Sequence, residues 1–190
     1  MTQQHENRRV RMTKRMMKDA LLELMEEKDL ISISVTAICE TADVHRSTFY
    51  NYYTNPGDLL REIEQDFLNR IPSPLEILEQ QNQKSLLVAT TEFFDYVKEN
   101  KKTLQILFNG SSGNLFYTQM VDHLCNGYIP VAENADELTA DFTRLYIANG
   151  TVGMLREWIN KDFPLSSQTI AEMMYTLSKR LSQYPYEVNP

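Results

Sequence analysis

Arg46, Ser47, Thr48 and Asn51 fall within one short segment, and each side chain can address a nucleic-acid duplex. The Arg46 guanidinium forks toward guanine or a phosphate, Ser47 and Thr48 donate to either, Thr48 adds a methyl suited to thymine, and Asn51 matches the edge of adenine. Tyr50, Tyr52 and Tyr53 carry hydroxyls suited to a phosphate backbone. The rings of Tyr50 and Tyr53 could equally seat the segment on a neighbouring helix. His45 reads as a phosphate- or solvent-facing group, because no second His or Cys stands beside it at metal-ligand spacing. Thr36 falls at the start of an adjacent helix, where free backbone N–H groups favour a phosphate.

Two very short helices and a tight turn would position this set. The stretch SVTAICETADVHRSTFYNYY, Ser34 to Tyr53, supplies them: Ser34 caps a helix over about 35–41, Asp43 takes the turn, and a second short helix covers about 45–52 around a buried Phe49. That is the layout of a helix-turn-helix, whose second helix enters the major groove. Ahead of it, Met17, Ala20, Leu21, Leu24 and Met25 recur at helical spacing, predicting a helix over about 14–27 capped by Thr13. Behind it, Asn55-Pro56-Gly57-Asp58 predicts a cap and first turn. A fourth helix then runs toward Arg70 with Leu59, Leu60, Ile63 and Phe67 inward, and is stopped by Pro72 and Pro74.

A net charge of −7 argues against a polyanionic partner until its distribution is considered. Arg8, Arg9, Arg11, Lys14, Arg15 and Lys18 form a run without an acid, and Lys14 is the member placed among the DNA-contact candidates. Residues 71–190 are acidic in balance, so a basic tip on an acidic body is expected. With no apolar leader and no long uncharged run, the cytoplasm is the expected location and no membrane partner is implied. Cys39 and Cys125 are expected as buried free thiols. The histidines are His5, His45 and His123, and no Glu-x-x-His pair occurs, so neither an enzyme nor a metal or other cofactor is expected.

Beyond Pro74 the apolar pattern stays helical. Helices are expected over a stripe from Leu86 to Val97, over 103–108, from Leu115 to near Tyr128 (closed by Gly127 and Pro130), over 136–160, and from Ser166 or Ser167 to Leu181, with a frayed tail from Tyr184. The fold class is all-α, about nine helices. A three-helix head spans residues 1–55, a linking helix 56–71, and a larger helical bundle 72–190. Phe93, Phe108, Phe116, Met120, His123, Tyr146 and Trp158 could line a pocket for an apolar or aromatic molecule, and would serve equally well as a filled core. Gly150 and Gly153 inside a helix suggest close approach of another backbone, with Met154, Met173, Met174 and Leu177 as further candidates for a dimer interface.

The stretch ISVTAICETADVHRSTFYNYYTNPGDLL, Ile33 to Leu60, resembles the signature of the TetR/AcrR family of bacterial transcriptional regulators. Ser34, Ile38, Val44, Thr48, Phe49, Tyr50 and Tyr53 fall at the family's motif positions. The resemblance implies a homodimer on palindromic operator DNA, repressing transcription until a small molecule binds the C-terminal domain. An activator or co-regulator whose C-terminal domain binds a protein partner is the alternative. Asp43 stands where the family usually has Gly, and Pro56-Gly57 replaces a frequent Lys. The segment from Phe142 to Ser167 resembles a Firmicute-type subgroup that includes regulators of dihydroxyacetone kinase operons.

Overall fold

Arg, Met, Lys and Leu, all good helix formers, run without Gly or Pro from Arg8 to Met25, and the chain is helical throughout that span (α1). The helix therefore starts earlier than the expected Thr13 cap. Thr13 sits inside it and donates its hydroxyl to the Arg9 carbonyl at 2.9 Å, one turn back. A 3-10 turn over Leu30–Ser32, not anticipated from the sequence, leads into α2 (Val35–Thr41), α3 (Arg46–Tyr50) and α4 (Pro56–Leu68). The bundle follows as α5 (Gln83–Glu99), α6 (Lys101–Asn109), α7 (Gly113–Cys125), α8 (Glu137–Asn160) and α9 (Ser167–Ser182).

This computed structural model describes residues 8–72, 83–110, 113–126, 129, 131 and 135–182, all nine of whose α-helices are named above. Pro74, Gly127, Pro130 and the tail from Tyr184 lie outside the described residues. Among those described, no helix is long and apolar enough to cross a membrane. Cys39 and Cys125 are free thiols, the first buried and the second half-buried.

Helix ends follow the local chemistry. The Asp136 carboxylate accepts from the Thr139 N–H at 3.0 Å to start α8, and Ser166 Oγ accepts from the Thr169 N–H at 3.0 Å to start α9. Between them the chain turns through two left-handed residues, Asp162 (φ 58°) and Phe163 (φ 56°). Phe163 lies edge-on to Trp158 at 4.7 Å, and the Trp158 indole N–H donates to the Leu165 carbonyl at 3.0 Å. These contacts hold the turn against its backbone cost.

In the body, α5 packs along α9 and α7 along α8. The fourth helix joins the two parts: it lies against α1 in the head and α7 in the body. Its inward face, Leu59, Leu60, Ile63, Phe67 and Leu68, is buried, and at the body end Phe67 meets Phe93 (5.6 Å), Tyr96 (6.2 Å) and Phe116 (5.8 Å) ring to ring. The same face carries Glu64, only 3% exposed. Burial pushes its carboxyl above the usual range, opposed in part by a hydrogen bond from Gln119 and by the Arg61 charge.

An acid whose pKa is raised by folding stabilises the fold least once the pH exceeds its folded value. Glu64→Gln is expected to raise stability at pH 7 by on the order of 1 kcal/mol. The gain should vanish below about pH 4, where the carboxyl is protonated in both states. Thermal melts of the two proteins at the two pH values measure it.

Candidate nucleic-acid interface

The Ala37 N–H donates to Ser34 Oγ at 3.1 Å, so α2 begins where the sequence places its cap. Ile38 and Cys39 turn inward, and Asp43 adopts φ 51°, the left-handed turn that the family resemblance assigns to Gly. The Val44 N–H returns to the Cys39 carbonyl at 3.0 Å and fixes the angle between α2 and α3. Phe49 is fully buried and anchors α3. Around that anchor, His45, Arg46, Ser47, Tyr50 and Asn51 are exposed, and Thr48 is half-buried.

Several placements differ from expectation. The third helix is one turn and a little more, Arg46–Tyr50, with His45 as its extended N-cap (φ −73°, ψ 145°) and Asn51 at its C-cap. Tyr52 is 37% exposed, whereas Tyr53 is 4% exposed, its ring tilted against Phe49 at 5.5 Å. Tyr53 is thus a core residue in this structure, and the packing alternative describes it better than a phosphate contact. Thr36 is half-buried in the first turn of α2.

Lys14 is also engaged. Its ammonium lies 3.3 Å from Glu62 on α4 and 5.7 Å and 5.8 Å from the ring centres of Tyr52 and Tyr53. Lys18 reaches Glu62 at 2.7 Å and Asp66 at 2.6 Å. Two lysines one turn apart on α1 therefore clasp two carboxylates one turn apart on α4. Burial pulls Lys18 down, but its bonds to Asp66 and Glu62 outweigh that and leave its pKa raised. Burial pushes Glu62 up, and Lys18 and Lys14 outweigh it, leaving its pKa lowered. The sequence reading assigned the basic run to a polyanion and missed these partners. The matching spacings Lys14/Lys18 and Glu62/Asp66 were the signal that could have revealed them.

At the start of α4, Asn55 Oδ1 accepts from the Asp58 N–H at 3.0 Å, and the Asp58 carboxylate accepts from the Thr54 N–H at 3.0 Å and from the Thr54 hydroxyl. The Asp58 side chain also pairs with Arg61. A Cβ on Gly57 would come within 3.0 Å of the capping Asn55 oxygen, so Gly57 leaves room for the cap. The Pro-Gly pair builds a tight helix start in place of a cation.

The pocket and interface candidates separate. Phe93, Phe108, Phe116, Met120 and Trp158 are buried together; Phe108 meets Phe116 at 5.1 Å and Phe94 meets Trp158 at 5.3 Å, a filled aromatic core. His123 is half-buried, and burial lowers its pKa. Tyr146 leaves this group: it is 69% exposed on α8. Among the interface candidates, Met173 and Leu177 are exposed, Gly153 and Met154 half-buried and Gly150 exposed, while Met174 packs into its own chain's core. A Cβ on Gly150 would meet nothing within 4 Å, and one on Gly153 only the Tyr117 hydroxyl at 3.8 Å. Among the described residues, no close backbone requires either glycine.

Residues 84–180, just over half the chain, match the TetR-type family model described as "Transcriptional regulator C-terminal region". The chain belongs to the TetR family of transcriptional regulators. Relatives of this TetR-type chain include a Bacillus subtilis protein described as the uncharacterized HTH-type transcriptional regulator YxbF, 22% identical over 84% of this chain and 43% of that protein. The Lactococcus lactis HTH-type dhaKLM operon transcriptional activator DhaS is 34% identical over 50% of this chain and 49% of its own length. The chain thus spans less than half the length of the curated relatives it matches. Among solved structures, the dihydroxyacetone kinase operon activator DhaS superposes with a TM-score of 0.62 at 21% identity, covering 90% of this chain and 96% of that one. A TetR transcriptional regulator from Streptococcus agalactiae gives 0.61 at 18%, covering 90% and 96%. At these identities the superpositions establish a shared TetR-type fold.

The charge clasp between α1 and α4 predicts an acid limit for the TetR-type head. With its folded pKa depressed, Glu62 contributes stability above its unfolded value and loses it as the pH falls through the folded one. Glu62→Gln should therefore lower the melting temperature at pH 7, and the difference from the unsubstituted protein should narrow below about pH 4. Calorimetry across that range checks both statements.

Proposed function

We propose that this regulator binds a palindromic operator as a homodimer, with α3 of each chain in the major groove. The observation that carries the reading is the burial of Phe49, which holds Arg46, Ser47 and Asn51 outward on one short helix. Arg46, Ser47, Thr48 and Asn51 then address bases, with Tyr50 and His45 beside them. Tyr52 and the first turn of α2 at Thr36 address phosphates, and Lys14 lends its field from beneath Tyr52. In this reading residues 1–55 form the DNA-binding head, 56–71 the linking helix and 72–190 the dimerisation and effector-binding body.

An exposed apolar band on the body favours a second copy. Leu138, Phe142, Leu145 and Tyr146 on α8 and Met173 and Leu177 on α9 all face solvent, and the exposed Gly150 continues the α8 side of the band. Contiguous apolar surface of this kind marks an association site. Two copies of α8 and α9 meeting there give Gly150 and Gly153 the close neighbour that they lack among the described residues.

The direction of control is read as repression relieved by an apolar or aromatic effector in the body. Release then requires the ring cluster around Phe116 to open, because those rings fill one another's space. The alternative is activation, and it is favoured by the description of DhaS as an activator.

Arg46→Ala and Asn51→Ala are each expected to weaken operator binding about 10- to 100-fold, the worth of one good base contact, and to leave the melting temperature within about 1–2 °C because both side chains are exposed. Gel-shift titration beside thermal melts checks this. A folded, dimeric protein that binds no duplex at low salt would overturn the reading. Phe142→Glu with Tyr146→Glu should convert the dimer to monomer in analytical ultracentrifugation while the helical circular-dichroism signal persists. A dimer that survives this pair places the interface elsewhere.

A further inference from the structure

The first turns of α1 carry positive charge that the fold itself does not use. Lys14 and Lys18 are clasped by Glu62 and Asp66, and Arg15 has Asp19 at 3.7 Å. Arg8 and Arg11 are exposed, and among the described residues neither has a carboxylate partner. The first described turn of α1 contains no acid. Stability alone gives no reason for this arrangement. A polyanion outside the chain does.

Geometry says where that polyanion lies. Contacts of Lys14 with Glu62 and of Lys18 with Glu62 and Asp66 make α1 and α4 run side by side in the same direction. Toward the N-terminus, Arg11 and Arg8 lie about 4.5 Å and 9 Å beyond Lys14 along the axis. This carries them past Glu62 toward the level of Asn55 and Pro56, where α4 begins. Lys14 itself already lies under Tyr52, which follows α3. The two arginines therefore project at the end of the head that presents α3, where Pro56-Gly57 offers no cation.

We propose that Arg8 and Arg11 form a second phosphate-binding surface, gripping the sugar-phosphate backbone of double-stranded DNA beside the groove entered by α3. This rests on the reading of the chain as a DNA binder and adds contacts outside the helix-turn-helix. The contacts are to phosphate, so they raise affinity for every sequence and select none. Arg15, one turn beyond Arg11 toward the body and paired with Asp19, lies outside the surface.

The test uses the full chain and a mixed-sequence duplex of about 30 base pairs, followed by fluorescence anisotropy over a range of KCl concentrations. Each lost phosphate contact lowers the slope of log affinity against log salt by about 0.9. Arg8→Ala with Arg11→Ala should lower it by about 1.8 per chain, weaken binding to all duplexes alike, and leave the melting temperature within about 1–2 °C, because both side chains are exposed. Arg15→Ala should leave the slope as it was. An unchanged slope in the double variant, beside a loss of binding in Arg46→Ala, overturns the phosphate surface and leaves the α3 reading standing. An equal fall in slope for Arg15→Ala also overturns it, since a diffuse field would then account for the effect. Absence of binding by the unsubstituted chain at low salt sinks both readings together.

Discussion

Phe67 is the residue at which the two parts of the molecule become one. Its ring lies against Phe93, Tyr96 and Phe116 of the body, while Leu59, Leu60 and Ile63 on the same helix are buried along the path to the head. Flexible linkers expose their backbone and bury little. The linking helix does the reverse: it belongs to both cores, and a large-to-small change at Phe67 would open a void felt on the body side, where Leu or Phe truncations typically cost about 2–5 kcal/mol. Orientation of the head is thus set by aromatic packing rather than by a loop.

Charge completes what packing begins. Lys14, Lys18, Glu62 and Asp66 tie α1 to α4 where both helices are partly exposed, and Lys102 of α6 reaches back to Glu26 at the far end of α1 at 2.6 Å. Exposed pairs are individually weak. Their value here lies in register, since each pair is satisfied only when the helices keep one alignment. The basic run on α1 is accordingly divided: Lys14 and Lys18 hold the head together, whereas Arg8 and Arg11, nearer the N-terminus, are exposed.

Most of the element pattern was legible because it rests on local chemistry. Ser34 and Asn55 cap the helices that they were expected to cap, Asp136 and Ser166 cap helices expected to begin near them, and Pro56 and Asp43 stand where a first turn and a left-handed turn require them. The start of α1 was misplaced because Thr13 has the type of a cap but bonds backward to Arg9, a choice between two local hydrogen bonds that the sequence does not decide. The candidate site was legible as a list of side chains and less so as directions. Tyr52 and Tyr53 are adjacent and chemically identical, yet one lies at the surface and the other against Phe49. Tyr146 and Trp158 sit on one helix, yet one is exposed and the other buried, which follows from how α8 is shared between α7 and the apolar band. Partners distant in sequence, such as Glu62 for Lys18, appear only once the helices are set side by side.

The linking helix is also a lever. Its 13 residues measure about 20 Å, with Phe67 near one end and the Asn55 cap at the other. A rocking of about 5° at the aromatic end moves the capped end by roughly 2 Å, more than the tolerance of a bidentate contact with a base edge. In a symmetric pair the two displacements add across half-sites that are spaced about 34–36 Å apart. In the proposed dimer, a repacking of Phe67 too small to alter the secondary structure would therefore suffice to throw both heads out of register with the double helix.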